Sequence, residues 1–264
     1  MLNYNVFLSQ FLFILGAICC IPLLPILIYQ GKRVRDTVPR LPEAPGDRKG
    51  IVGPEGKPYR LLTMGESHIA GVGIDSQEEA FTGQIVAQLA DELQRPIHWQ
   101  LLATSGYTVA RLDEVYTPQV PETPQDLIII GMGGNDTFKL NSPSRWVKDF
   151  RRLIDNIRKV QPDCPIIIAN LPPVGEFPAF PKPLQSVLGG LVFLHGFAAR
   201  AIPAGKENVY YMKKRILLKD WYSYVPGLIN AEAFFSDRVH PSALTFQVWG
   251  RVVREFLLDK KILQ

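Results

Sequence analysis

Three cysteines in 264 residues are too few to staple a fold. Cys19 and Cys20 adjoin inside an apolar stretch and Cys164 stands alone, so neither a disulfide framework nor a CxxC metal pair can be built. Histidine is almost as scarce, with four along the chain, His68, His98, His195 and His240. The formal charge is only +4, and its cations are spread out instead of massed among aromatics, which argues against a nucleic-acid partner. No GxxxxGK[ST] phosphate loop is present, and the GxG at Gly71 and Gly73 lacks the third glycine of a dinucleotide fingerprint. No HxH or paired-carboxylate cluster accompanies Asp136, Asp237 and His240, so neither a cofactor nor a metal is expected. No feature points to a protein partner. What the chain does have is 47% hydrophobic residues, enough for one large core.

Charge is missing altogether from residues 6–29, VFLSQFLFILGAICCIPLLPILIY. At about 1.5 Å rise per residue this run can cross a hydrocarbon layer of about 30 Å, and it is read as one transmembrane helix. A cleaved signal peptide fits poorly, because no Lys or Arg precedes the run and Pro22 and Pro25 occupy its end. Lys32, Arg33, Arg35 and Arg40 follow directly, and by the positive-inside rule they keep the carboxy-terminal side in the cytoplasm. The expected organisation is a membrane anchor over 1–31, a basic Pro/Gly-rich linker over 32–58 and a catalytic domain over 59–264.

In that domain short β-rich runs alternate with segments of helical period. Strands are expected at 59–64, 97–103, 126–132, 166–170 and 209–212, and helices at 78–93, 109–115, 144–160, 184–201 and 243–260. Such alternation implies a five-stranded parallel sheet covered by helices on both faces, with ligands at the carboxyl ends of the strands.

The residues just after those strands carry the chemistry. Ser67 in GESHIAGVG sits where a strand turns into a helix, a place that can present a free hydroxyl, although glycines and a serine there are more often a plain turn. Gly106 in TSGYT and Asn135 in GGND, with the Ser67 amide, have the donors for an oxyanion hole. GGND by itself is more commonly an Asx-turn. Among the histidines, His68 diverges from its neighbour Ser67, His98 opens a strand and His195 lies in an apolar run. His240 differs, because DRVHP places Asp237 three residues before it, where a carboxylate can fix the imidazole tautomer and leave the other nitrogen for a serine.

GESHIAGVG, TSGYT, GGND and DRVHP together resemble the four sequence blocks of GDSL (SGNH) serine hydrolases, in the same order and from about residue 59 to the carboxy terminus. The resemblance implies a flavodoxin-like three-layer α/β/α sandwich. It also implies Ser67 as nucleophile, Asp237 and His240 as the rest of the triad, and Ser67, Gly106 and Asn135 as oxyanion donors. Glu66 departs from the usual Asp before the serine. Expected substrates are small-molecule or lipid-like esters near the membrane; a carbohydrate O-acetyl esterase or acyltransferase with the same triad, or a non-catalytic tethered binding protein, remain as alternatives. The segment 171–197 either walls the pocket as a lid or simply enters a core helix, and the aromatics at 221–224 and 234–235 either line the site or cover the sheet.

Overall fold

The computed structural model describes residues 3–228 and 230–263. Met1 and Leu2 of the charge-poor flank, Ile229, and Gln264 at the end of the expected domain lie outside the described residues.

The uncharged run does not form the single straight helix expected of it. Helix α1 (Tyr4–Cys19) gives way to a 3-10 turn at Ile21–Leu23, and α2 (Leu24–Thr37) leaves at a 50° bend. Pro22 and Pro25 have no N–H to donate to the preceding turn, so the helix breaks there. Among the described residues no single helix is long and apolar enough to cross a membrane; the bent pair passes that test only together. Both helices are tied to the rest of the chain. Gln10 Oε1 accepts hydrogen bonds from the Ser144 N–H (3.2 Å) and hydroxyl (2.6 Å). Gln30 donates to the Lys182 carbonyl (2.7 Å) and accepts from the Leu184 N–H (3.1 Å).

The segment after α2 also contributes structure. Strand β1 (Lys49–Val52) pairs antiparallel with β3 (Ile97–Ala103), adding a sixth, edge strand to the five expected. Three of its four residues are exposed, so it carries no alternating apolar signal that periodicity could detect. Its register is pinned by Arg48, whose carbonyl accepts from the Leu101 N–H at 2.8 Å and whose guanidinium donates to the Ala103 carbonyl.

The other strands are parallel: β2 (Tyr59–Gly65), β3, β4 (Leu127–Gly131), β5 (Ile166–Ile168) and β6 (Val209–Tyr211), in the order β1-β3-β2-β4-β5-β6. Successive strand side chains alternate between two cores. Leu61, Leu127, Ile129 and Ile167 pack with α4 (Phe81–Leu93) and α10 (Ala243–Asp259) through Phe81, Ile85, Phe246 and Trp249. Leu62, Met64, Ile128, Ile130 and Ile166 face α5 (Val109–Tyr116), α7 (Pro143–Arg158) and α8 (Leu184–Ala199) through Leu112, Trp146, Phe150, Ile154 and Ala198. The result is an α/β/α sandwich around a mixed sheet. Because β3 and β4 flank β2, the strand order reverses there, and a crevice opens at the carboxyl ends of β2 and β4.

Candidate active site

Two glycines let the chain turn sharply at that crevice. Gly65 and Gly131 pair across the ends of β2 and β4, and a Cβ on either would fall within 2.5 Å of Ile69 side-chain atoms. Their bareness lets the short helix α3 (Ser67–Ala70) settle onto the sheet directly after the strand. Ser67 is its first residue, where a backbone N–H has no acceptor within the helix.

After β4 the chain makes a second short helix, α6 (Gly134–Phe138). Glu66 joins the two turns. Its Oε1 accepts from the Gly133 (2.9 Å) and Gly134 (2.7 Å) N–H groups, and its Oε2 from the Asn135 N–H (2.8 Å) and Asn135 Nδ2 (2.6 Å). Burial pushes the Glu66 carboxyl up to about 7, against the downward pull of those donors. Asn135 therefore has one amide hydrogen fixed by Glu66 and a second to offer elsewhere. Asp136 braces the same turn from behind, accepting from the Val109 N–H (3.0 Å) and Asn141 Nδ2 (2.7 Å). Burial is the main influence on its carboxyl, which lies above the ordinary range.

The third component lies just before α10. Phe235 and Pro241 bridge the base of a tight loop in which Arg238 adopts φ +70°. Asp237 Oδ1 accepts from the Val239 (2.9 Å) and His240 (2.7 Å) N–H groups, and its Oδ2 lies 2.7 Å from His240 Nδ1. Burial raises the Asp237 carboxyl, but the imidazole and the two backbone donors outweigh it and hold it below the usual value. A carboxylate only accepts, so Nδ1 carries the proton and Nε2 is left with a lone pair.

Ser67, Asn135 and His240 border one cavity of about 30 Å³, walled by Phe138, Pro172, Phe177 and Val239. Serine and histidine, far apart in sequence, thus meet at one rim of the sheet. Among the described residues no hydrogen bond joins them, as is common before substrate draws such groups together. Gly106 lies outside this lining, exposed at φ +84° in the turn after β3. The segment after β5 walls the cavity through Pro172 and Phe177 before it enters α8. The aromatics near 221–235 mostly serve the core: Trp221, at the end of the short helix α9 (Leu218–Trp221), meets Phe234 edge-on and Trp249 at a tilt, while Phe235 packs on Phe177.

His68 and His195 have other roles. The His68 ring stacks on Trp249 (5.3 Å, 9° between planes), and burial, followed by the charge of His240, lowers it to about 3. His195 is fully buried, bonded to the Asn141 carbonyl (2.8 Å) and near Thr137 Oγ1 (3.1 Å), and burial lowers it to about 4. Both imidazoles are neutral at neutral pH.

A flavodoxin-order sheet with a serine, a side-chain amide and a histidine–carboxylate pair at its reversal point holds the side chains that serine-dependent ester hydrolysis requires. The GDSL-like Lipase/Acylhydrolase family matches residues 63–247, and the chain belongs to that family of ester-hydrolysing enzymes. Its fold is similar to that of TesA (20% identity, 78% of this chain and 100% of that one, TM-score 0.55). It is similar too to the lipase/acylhydrolase from Enterococcus faecalis (17%, 76% and 96%, TM-score 0.56). A third similar fold is the Clostridium thermocellum family 3 carbohydrate esterase (17%, 77% and 97%, TM-score 0.56). No curated protein matches the sequence.

Proposed function

We propose that the chain is a serine esterase that cleaves carboxylic esters or thioesters through an acyl-enzyme on Ser67. The observation that carries this reading is the shared cavity, into which Ser67, Asn135 and the Asp237-supported His240 all open. His240 Nε2 takes the serine proton as Oγ attacks the carbonyl carbon, and Asp237 stabilises the imidazolium that forms. The Ser67 amide and the free Asn135 amide hydrogen receive the developing oxyanion, with Gly106, in the exposed turn after β3, as the third donor that the family resemblance implies. His240 then protonates the leaving alcohol or thiol, and water repeats the sequence to release the acid. Ser67→Ala tests this. The variant should lose both p-nitrophenyl ester hydrolysis and labelling by a fluorophosphonate probe; labelling that persists would mean that another nucleophile is at work.

We further propose that residues 6–29 hold the enzyme at a membrane, with the catalytic domain on the cytoplasmic side. Supporting this, Phe7, Phe11, Ile14, Ile18, Ile21 and Ile28 are exposed on the helix pair, and Lys32 and Arg33 follow where anionic headgroups would meet them. A carboxy-terminal alkaline phosphatase fusion should be inactive and a fluorescent-protein fusion bright; the opposite pattern reverses the orientation.

A further inference from the structure

A second, larger cavity adjoins the catalytic one. It measures about 650 Å³ and lies between α2 with its following segment on one side and Phe138, Phe180 and α8 on the other. Phe138, Val239 and His240 border both cavities, so the larger space ends at the imidazole. Among the described residues that line it, the polar side chains are those of Arg35, Arg40, Ser105 and His240. One wall, including Leu24, Leu27, Gly31, Val34 and Val38, precedes the residues matched by the family, 63–247. The amino-terminal segment therefore supplies one wall of this apolar space, and the family domain supplies only the other.

From this we infer that α2 completes a groove for the acyl chain of a long-chain ester, whose carbonyl reaches Ser67 beside His240. The inference rests on the serine esterase reading above. Size and chemistry choose the occupant. At about 30 Å³ per water-sized group the cavity has room for on the order of twenty such groups, many more than an acetyl group needs. A groove lined mostly by carbon offers few partners to a sugar, most of whose hydroxyls would lose their hydrogen bonds there. Each methylene buried can add up to about fourfold in affinity, so the groove selects for chain length.

Gly31 provides the test. It faces the groove from within α2, and an added Cβ there would meet nothing within 4 Å, so a large side chain can enter the space without strain. Gly16 in α1 is equally open and lies outside the groove, which makes Gly16→Phe the matched control. In detergent-solubilised full-length protein, kcat/KM for p-nitrophenyl esters should rise from acetate to palmitate. Gly31→Phe should lower the palmitate-to-acetate ratio at least tenfold, as should Val187→Trp from the opposite wall, while Gly16→Phe should not. Binding is read separately on Ser67→Ala: palmitate should displace cis-parinaric acid, butyrate should not, and adding Gly31→Phe should weaken palmitate at least tenfold. A chain-length profile and palmitate affinity indifferent to Gly31→Phe and Val187→Trp overturn the inference, as does a dimer that occupies the groove and excludes palmitate. If palmitate binds in the groove but no ester is cleaved, the groove stands and the esterase reading fails. If acetate is cleaved through Ser67 but palmitate does not bind, the esterase reading stands and the groove fails.

Discussion

The side-chain amide of Asn135 donates to the carboxylate of Glu66 across 2.6 Å, so the residue before the serine orients an amide that borders the same cavity as Ser67 and His240. The same carboxylate gathers three backbone N–H groups from the turn after β4. The longer reach of Glu over Asp is thereby absorbed by a buried clamp between the two catalytic turns.

Replacing Glu66 by Gln should loosen that clamp. A glutamine oxygen can still accept from Gly133 and Gly134, but its NH2 would face the two Asn135 donors. Each buried donor left without an acceptor costs about 1–3 kcal/mol, so above pH 7, where the carboxyl is ionised, Glu66→Gln should lose about 2–6 kcal/mol of stability. Urea denaturation measures it; a change below 1 kcal/mol means the clamp is not under strain from the substitution.

Asn135→Ala separates the donor role from the structural one. If its second hydrogen serves the oxyanion, kcat should fall about 10²- to 10³-fold with little effect on KM. A loss confined to Tm, with kcat preserved, would leave Asn135 as a partner of Glu66 alone.

Asp237→Asn should lower kcat by about 10⁴-fold. An asparagine can present its NH2 to Nδ1 and turn the imidazole into the wrong tautomer, the effect measured for the corresponding change in the serine-protease triad. A decrease of less than tenfold would show that the 2.7 Å contact to His240 has no part in proton transfer.

Acid should destabilise the fold in a defined window. Folded His68 and His195 sit at about 3 and about 4 against 6.5 for a free imidazole, so below pH 6.5 the unfolded chain binds more protons and stability falls. Glu66, raised from 4.5 to about 7, acts in the opposite sense, its contribution growing as pH falls through that interval. Each such group contributes a slope of about 1.4 kcal/mol per pH unit, and two imidazoles outweigh one carboxyl. Tm should therefore decline from pH 6.5 to 4.5; a level or rising Tm would contradict the neutral burial of the two histidines.

Much of this was legible in the residues because it is local. The alternation of apolar strands with periodic helices located the five parallel strands and the major helices to within a few residues, and the block around Asp237 and His240 lies on one loop whose spacing alone suggests the hydrogen bond. What escaped depends on long-range contact. β1 is a strand only because the edge of β3 accepts it, and its own residues are mostly exposed. The uniform apolarity of residues 6–29 suggested one helix, yet Pro22 and Pro25 divide it, and Gln10 and Gln30 bind it to the starts of α7 and α8. No periodicity reports that α2 would face Phe180 and Leu188 across a groove. The signal that was available was the pair of hydrogen-bonding glutamines, Gln10 within the uncharged run and Gln30 directly after it.

The distance in sequence between Ser67 and His240 has a consequence during synthesis. A growing polypeptide presents its hydroxyl well before its imidazole, and the ring becomes placed only when α10 packs against Phe81 and completes the outer layer. Until that layer closes, serine and imidazole stand apart, and the proposed ester cleavage waits on the docking of α10.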